Sequence, residues 1–411
     1  MSKIEKVFHG DALNVLKTFE SNSIDSVCCD PPYGLSKEPD INEVLTKWLA
    51  GEEYDHGHGG FMGKSWDSFV PHPDIWREVF RVLKPGGHAL VFAGTRTQDL
   101  MTISLRLAGF EVRDVIEWLY FSGFPKSHDV SKAFDRRAGE LKSSTDRFVD
   151  VGGNNAFEGR KRFRAQRCTI CGKLRGSQAG NCQCGDDYAP ATELARKWDG
   201  WGTALKPAHE PIIVVRKPLI DADTGRKLTI ADCVEKYGTG AINIDASRIA
   251  LRDENPPTGS GNAGDSIYSQ VTTSKGNSGN VTPEKGRFPA NCITLDSNEF
   301  YSKYFNITPP ELSKKASKKD RNSDWQGEEI DGINVHPTVK NTDLMAWLVR
   351  LVTPKGGTVL DPFAGSGSTL VAAKREGFGF IGVELSDEYI PIIEARVGAK
   401  SIGLEAQSSE G

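Results

Sequence analysis

The chain lacks a strong charge of either sign: 51 Lys and Arg stand against 55 Asp and Glu in 411 residues, for a net charge of −4 and a pI near 6.1. Whole-chain charge therefore does not announce a polyanion binder, although averaging hides local patches. Long apolar runs are missing as well. No stretch approaches the roughly 18 apolar residues of a membrane span, and Met1-Ser2-Lys3-Ile4-Glu5-Lys6 has no apolar export core. A soluble cytoplasmic protein without a membrane partner is expected. Cysteine is scarce, at eight residues, and in a reducing compartment structural disulfides are not expected. Cys28, Cys29, Cys233 and Cys292 fall in apolar or mixed segments and read as small core residues. No internal repeat is visible, which excludes repeat architectures.

What is present is an alternation of strand and helix signals. Val7-Phe8-His9 runs into a Gly10-Asp11 turn and a helix through Leu16 and Phe19, and Ile24-Asp25-Ser26-Val27-Cys28-Cys29 is an apolar strand. Residues 75–83 are spaced as a helix. Lys84-Pro85-Gly86-Gly87 stops it before the buried strand His88-Ala89-Leu90-Val91-Phe92. A helix through Leu105 and Leu107, strands over 111–118 and 211–215, a helix over 343–351 and strands over 358–361 and 379–384 continue the rhythm. The fold class this implies is α/β, a doubly wound sheet. Residues 34–67, with Gly51, Gly57, Gly59, Gly60 and Gly63, are expected to be a mobile loop, its His56 and His58 solvated.

Two motifs carry chemistry. Asp30-Pro31-Pro32-Tyr33 follows the second strand directly, at the carboxyl end where open α/β sheets bind ligands. Proline fixes φ and removes N–H donors, which leaves carbonyls free on a stiff backbone, and Tyr33 adds a flat stacking face. Such a site suits a planar base whose amine needs acceptors. Much later, Asp361-Pro362-Phe363-Ala364-Gly365-Ser366-Gly367-Ser368 closes another strand; Gly365 and Gly367 allow close backbone approach, and Ser368-Thr369-Leu370 opens a helix. Glu384 ends the next strand, nineteen residues after Gly365, near the ~20 expected for an acid on the ribose hydroxyls of a nucleotide cofactor. A nicotinamide-type fold is the competing reading, and the loop lacks its G-x-G-x-x-G spacing.

Together the motifs resemble the amino-group DNA methyltransferases, with their D/N/S-P-P-Y/F tetrad and F-x-G-x-G loop; the order, tetrad first, is similar to their beta class of phage or restriction–modification type. The resemblance covers residues 7 to about 130, 198–218 and 333–397, including Val335-His336-Pro337-Thr338-Val339-Lys340, with Asn341 in place of the usual proline. It implies a mostly parallel seven-stranded sheet and S-adenosylmethionine as cofactor. Asp30, Pro31, Pro32 and Tyr33 are then catalytic. Phe363 packs on the cofactor's adenine or methionine moiety, Asp361 lies near its methionine amine, and Asp11 meets the adenine edge. His336 and Thr338 complete the pocket, with Asp30, Gly365, Gly367, Ser368, Thr369 and Glu384 also lining it. For Asp11 the competing role is a cap on the helix that follows.

The expected organisation is a catalytic half over 1–139, a basic insertion over 140–197, a return to the catalytic domain over 198–218, a target-recognition domain over 219–332, the cofactor half over 333–400 and a disordered tail over 401–411. Between Arg136 and Arg175 eleven Lys and Arg face four acids, a local +7 suited to phosphates, with a solvated charged face as the competing reading. Within the insertion Cys168-Thr169-Ile170-Cys171 and Cys182-Gln183-Cys184 make two knuckles that suit a tetrahedral structural zinc held by Cys168, Cys171, Cys182 and Cys184. The expected activity is methylation of the exocyclic amine of a flipped-out adenine in double-stranded DNA. N4-cytosine methylation, methylation of RNA or a protein amide, and a nonenzymatic DNA-binding role stay open as alternatives, as do a homodimer and a companion restriction nuclease.

Overall fold

The computed structural model describes residues 3–35, 38–57, 68–120, 127–140, 148–150, 166–168, 188–248, 289–293, 315–331 and 334–403. Two compact units result, one from Met1–Ser122 with Ala208–Gly411 and the other from Gly123–Pro207. In chain order the described elements are β1 (Glu5–His9), α1 (Ala12–Leu16), β2 (Ile24–Cys29), α2 (Ile41–Ala50), α3 (Pro73–Val82), β3 (Leu83–Phe92), α4 (Gln98–Leu107), β4 (Glu111–Leu119), α5 (Val130–Ala138), β5 (Phe148–Asp150), β6 (Gln166–Cys168), α6 (Glu193–Lys197), β7 (His209–Arg216), α7 (Ile230–Tyr237), β8 (Cys292–Ile293), α8 (Lys318–Arg321), α9 (Thr342–Val352), β9 (Thr358–Asp361), α10 (Ser368–Arg375), β10 (Gly379–Glu384), α11 (Ile390–Val397) and β11 (Ser401–Gly403).

The larger unit is built on one sheet of order β11-β1-β10-β9-β2-β3-β7-β4-β8. Every pairing is parallel except those of β7, which runs antiparallel to β3 and to β4. Alternate residues of the central strands enter opposite layers. Cys28, Leu90, Phe92, Ile212, Val214, Val359 and Phe380 pack on one face, while Val27, Cys29, Ala89, Val91, Ile213, Val215, Leu360 and Ile381 pack on the other. Helices α9, α10 and α11 cover the first face through Leu344, Leu348, Leu370, Val371, Ile390 and Ile393. The second is covered by α1, α2, α3 and α4 through Val15, Leu16, Trp48, Trp76, Val79 and Met101. Burial on both faces explains why these strands are short continuous apolar runs. The architecture is a three-layer α/β sandwich, with helices on both faces of a mostly parallel sheet.

The sheet has nine strands where seven were expected. The additional two lie at its edges, β8 with two residues and β11 with three, too short for any alternation to show in sequence. Strand β11 takes in Ser401–Gly403 at the start of the expected tail, and residues 404–411 lie outside the described residues. Glu394 accepts from the backbone N–H of Ser401 at 2.7 Å and from its hydroxyl at 2.8 Å, and Ser401–Gly403 then pairs with Val7–His9.

The expected mobile loop contains a helix. Asp40 caps α2 by accepting from the N–H groups of Asn42 and Glu43, Val44 and Trp48 bury the i,i+4 stripe, and Gly51 ends the helix at φ 75°. His56, expected to be solvated, is buried, its ring 5.3 Å from that of Phe69. His58 lies outside the described residues.

In the second unit α5 and α6 are joined through Asp135, which accepts from the N–H of Ala191 and Thr192, the Thr192 hydroxyl and the Tyr188 hydroxyl at 2.7–2.9 Å. Strands β5 and β6 form an antiparallel pair. The expected boundaries at 139/140 and 197/198 both fall inside this unit.

Candidate active site

Neighbouring parallel strands bring their carboxyl ends to one edge of the sheet, and here three adjacent strands deliver acids to it. β2 runs into Asp30, β9 ends at Asp361 and β10 ends at Glu384, with β9 between the other two. The tetrad thus sits one strand from the Gly-rich loop, although more than 300 residues separate them in sequence.

Asp30 is held from both sides. Its Oδ2 accepts from Lys340 Nζ at 2.6 Å, and its Oδ1 accepts from the Tyr33 hydroxyl at 2.6 Å. The same hydroxyl lies 3.2 Å from Glu210 Oε2, and Lys340 Nζ lies 3.3 Å from that oxygen. Lys340 is buried, with its ammonium 4.9 Å from the centre of the Phe92 ring and 5.4 Å from that of Tyr33. Burial raises the Asp30 pKa, Lys340 opposes the rise and Glu210 adds to it. For Lys340 burial works downward, but the two carboxylates outweigh it and leave the pKa above that of an ordinary lysine. Thr97 fixes the backbone of the tetrad by donating its hydroxyl to the Tyr33 carbonyl at 2.6 Å.

The second motif folds back on its own acids. Asp361, buried, accepts from the Phe363 N–H at 3.0 Å; burial pushes its carboxyl up to about 7 against the hydrogen bond from Thr369. Glu384 accepts from the N–H of Gly365 at 2.7 Å and of Ser386 at 2.8 Å, and burial raises its pKa too. Gly365 takes φ 54°, and a Cβ there would stand 2.8 Å from His336 Nε2, so no other residue fits without displacement. Gly367, at φ 79°, opens α10. Phe363 packs edge-on against Trp76 with centroids 5.8 Å apart, and His336 meets Tyr389 at 4.5 Å. Beneath the loop lies the buried guanidinium of Arg396, which donates to the Ser366 carbonyl at 2.7 Å and approaches the Ser368 hydroxyl at 3.4 Å.

Most of the residues singled out from sequence therefore converge on this edge: Asp30 to Tyr33, Asp361 to Thr369, Glu384 and His336. Thr338 is exposed, with its N–H 3.4 Å from His336 Nδ1. Asp11 adopts the capping role, accepting from the Asn14 N–H at 3.0 Å. Sequence reasoning missed Lys340 and Glu210 as members of the site. Their signals were a lysine closing the His336-Pro337-Thr338 segment and an acid immediately before the apolar run of β7. The knuckle cysteines Cys171, Cys182 and Cys184 lie outside the described residues, and Cys168 enters only through the backbone of β6. Among the described residues no group of three or more His, Cys, Asp or Glu is placed to hold a metal, and no helix is long and apolar enough to cross a membrane.

At one edge of a sheet with a single internal antiparallel strand, a Gly-rich bend closed onto Glu384 thus adjoins the Asp-Pro-Pro-Tyr segment. The DNA methylase family model of the N6/N4 type matches residues 24–395, and the chain belongs to that family. It is a DNA methyltransferase. The type II methyltransferase M.HindIII of Haemophilus influenzae is 24% identical over 413 aligned positions, 96% of each chain. M2.DpnII of Streptococcus pneumoniae, also a type II methyltransferase, is 38% identical over 90 residues, 22% of this chain and 29% of that one. Among solved structures, the M1.HpyAVI–SAM complex is 14% identical with a TM-score of 0.39, covering 96% of this chain and 98% of that one. The cytosine-N4-specific PvuII DNA methyltransferase is 14% identical with a TM-score of 0.43, covering 99% and 91%. Structural likenesses this low bear no weight on the site.

Proposed function

We propose that the chain methylates the N6 amine of adenine in duplex DNA, as the modification enzyme of a restriction–modification pair. The observation that carries the reading is Asp30, half-buried at the head of the tetrad and fixed by Lys340 at 2.6 Å, on the strand next to the one that leads into the Gly-rich loop. The amine of a base is a poor nucleophile because its lone pair is delocalised into the ring. Asp30 and the Pro31 carbonyl accept its hydrogens, favour a pyramidal nitrogen and free the lone pair for attack. Their contribution is positional and electrostatic, aimed at the positive charge that builds on nitrogen. Tyr33 stacks on the base once it leaves the duplex.

The cofactor half fits a cationic nucleotide. Asp361 takes the methionine amine, Glu384 the ribose hydroxyls, and Phe363 packs on the adenine or methionine moiety, where Gly365 lets the backbone come close. Asp11, His336, Thr338, Gly367, Ser368 and Thr369 complete the pocket. When bound, S-adenosylmethionine supplies an electrophilic methyl on a sulfonium. The described part of 219–332 belongs to target recognition. Residues 123–207, with sixteen Lys and Arg against ten acids, face phosphates while the rest of the chain is acidic. Cys168, Cys171, Cys182 and Cys184 hold one structural zinc in that segment.

Adenine is favoured over cytosine by the resemblance alone: adenine enzymes of the family it resembles typically carry Asp first in the tetrad, as Asp30 does here, whereas its cytosine enzymes more often carry Ser. The test is Asp30→Ala, assayed for methyl transfer to duplex DNA and for cofactor binding by calorimetry. Transfer is lost while binding stays within about threefold of the parent; turnover near the parent's would remove Asp30 from its role.

A further inference from the structure

Both oxygens of Asp30 are engaged, Oδ2 by Lys340 and Oδ1 by Tyr33. Each oxygen can accept a second hydrogen bond, but an incoming amine gains the full strength of the acceptor only where no other donor shares it. Lys340 is not the partner that leaves. Its ammonium is buried, and withdrawing it would strand Asp30 and Glu210 as uncompensated charges, a change that commonly costs several kcal/mol. The Tyr33 hydroxyl, by contrast, already has a second acceptor in Glu210 Oε2 at 3.2 Å.

We propose that Lys340 and Glu210 are positioning residues of the methyl transfer, Lys340 locking Asp30 through Oδ2 and Glu210 receiving the Tyr33 hydroxyl so that Oδ1 opens toward the base. The proposal rests on the reading of Asp30 as the acceptor for the amine. It also explains the charge of the cluster: two carboxylates around one ammonium leave a net −1 facing the nitrogen on which positive charge grows.

Asp30 is faced by Tyr33 on its own loop, Lys340 before α9, Glu210 on β7, Asp361 at the end of β9 and Cys28 on β2. Of these, Lys340 favours the ionised carboxylate and Glu210 disfavours it. Their removal therefore has opposite signs. Lys340→Met moves the acid limb of the kcat profile to higher pH and Glu210→Gln moves it to lower pH. Lys340→Arg, which keeps the cation, returns the limb toward the parent's. A residue that merely supports the fold would lower activity without displacing the limb in either direction.

The experiment follows Asp30 directly, by pH-dependent infrared difference spectra of the full-length protein with Asp30→Asn as blank, in parallel with kcat and KM on duplex DNA. Calorimetry with S-adenosylmethionine, expected to stay within about threefold of the parent, shows that each variant is folded. Opposite displacements of the Asp30 titration in Lys340→Met and Glu210→Gln support the proposal. Displacements of the same sign, or none, overturn it. A parent enzyme that moves no methyl to DNA would sink the proposed substrate instead, and the infrared titration would still decide the roles of Lys340 and Glu210.

Discussion

If Asp361 takes the cofactor's amine as proposed, cofactor affinity depends on pH. Burial pushes its carboxyl up to about 7, so without a ligand it is mostly protonated below neutrality. A cationic amine beside it requires the carboxylate. A group titrating near 7 is ionised in about one molecule in ten near pH 6 and about nine in ten near pH 8, so affinity for S-adenosylmethionine should tighten about tenfold across that interval. The fold responds with the opposite sign. An acid whose pKa is raised by folding contributes its full stability below the unfolded value of about 4, and this is lost progressively as pH rises through the folded value near 7. The ligand-free protein therefore loses on the order of a few kcal/mol from this group between those limits. Calorimetry in buffers of different ionisation enthalpy measures both affinity and the proton released on binding, while urea melts of the free protein give the stability trend. Asp361→Asn should bind weakly with a flat pH profile. A parent affinity that does not change between about pH 6 and about pH 8, with no proton release, would refute the pairing of Asp361 with the cofactor amine.

Gly365→Ala places a Cβ 2.8 Å from His336 Nε2 at φ 54°, for a cost of about 1–3 kcal/mol; S-adenosylmethionine affinity should fall at least tenfold, and parent-like binding would remove the close-approach argument. Elemental analysis of protein purified without added metal should give one zinc per chain, lost when Cys168 and Cys171 are replaced by Ser; an absence of zinc in the parent protein would contradict the assignment. As argued above, Asp30→Ala should separate turnover from cofactor binding.

The strands β9 and β10 were legible because they are short apolar runs with unambiguous ends. Gly379–Glu384 starts at a glycine and stops at an acid, and Thr358–Asp361 runs straight into the Pro-Phe-Ala-Gly bend. The tetrad was legible for the same reason, lying directly after Ile24–Cys29. Helix α2 was hidden because composition weighed more than pattern: the glycines near it outvoted the Asp40 cap and the Val44–Trp48 spacing. Lys340 and Glu210 stayed out of the site because nothing local marks them. They lie 310 and 180 positions from Asp30, and only the order of β9, β2, β3 and β7 in the sheet brings those segments to one edge. Asp11 showed how one sequence supports two roles, since a Gly-Asp turn before a helix caps that helix whether or not it also touches a ligand.

The most direct test of the central claim is the identity of the methylated nucleoside. Duplex DNA carrying the target site is incubated with the protein and S-adenosylmethionine, digested to nucleosides and separated by mass. N6-methyl-2′-deoxyadenosine from the parent protein, absent with Asp30→Ala, is the predicted result. Methylated deoxycytidine without methylated deoxyadenosine would contradict the adenine assignment, and the absence of any methylated deoxynucleoside would contradict duplex DNA as the substrate.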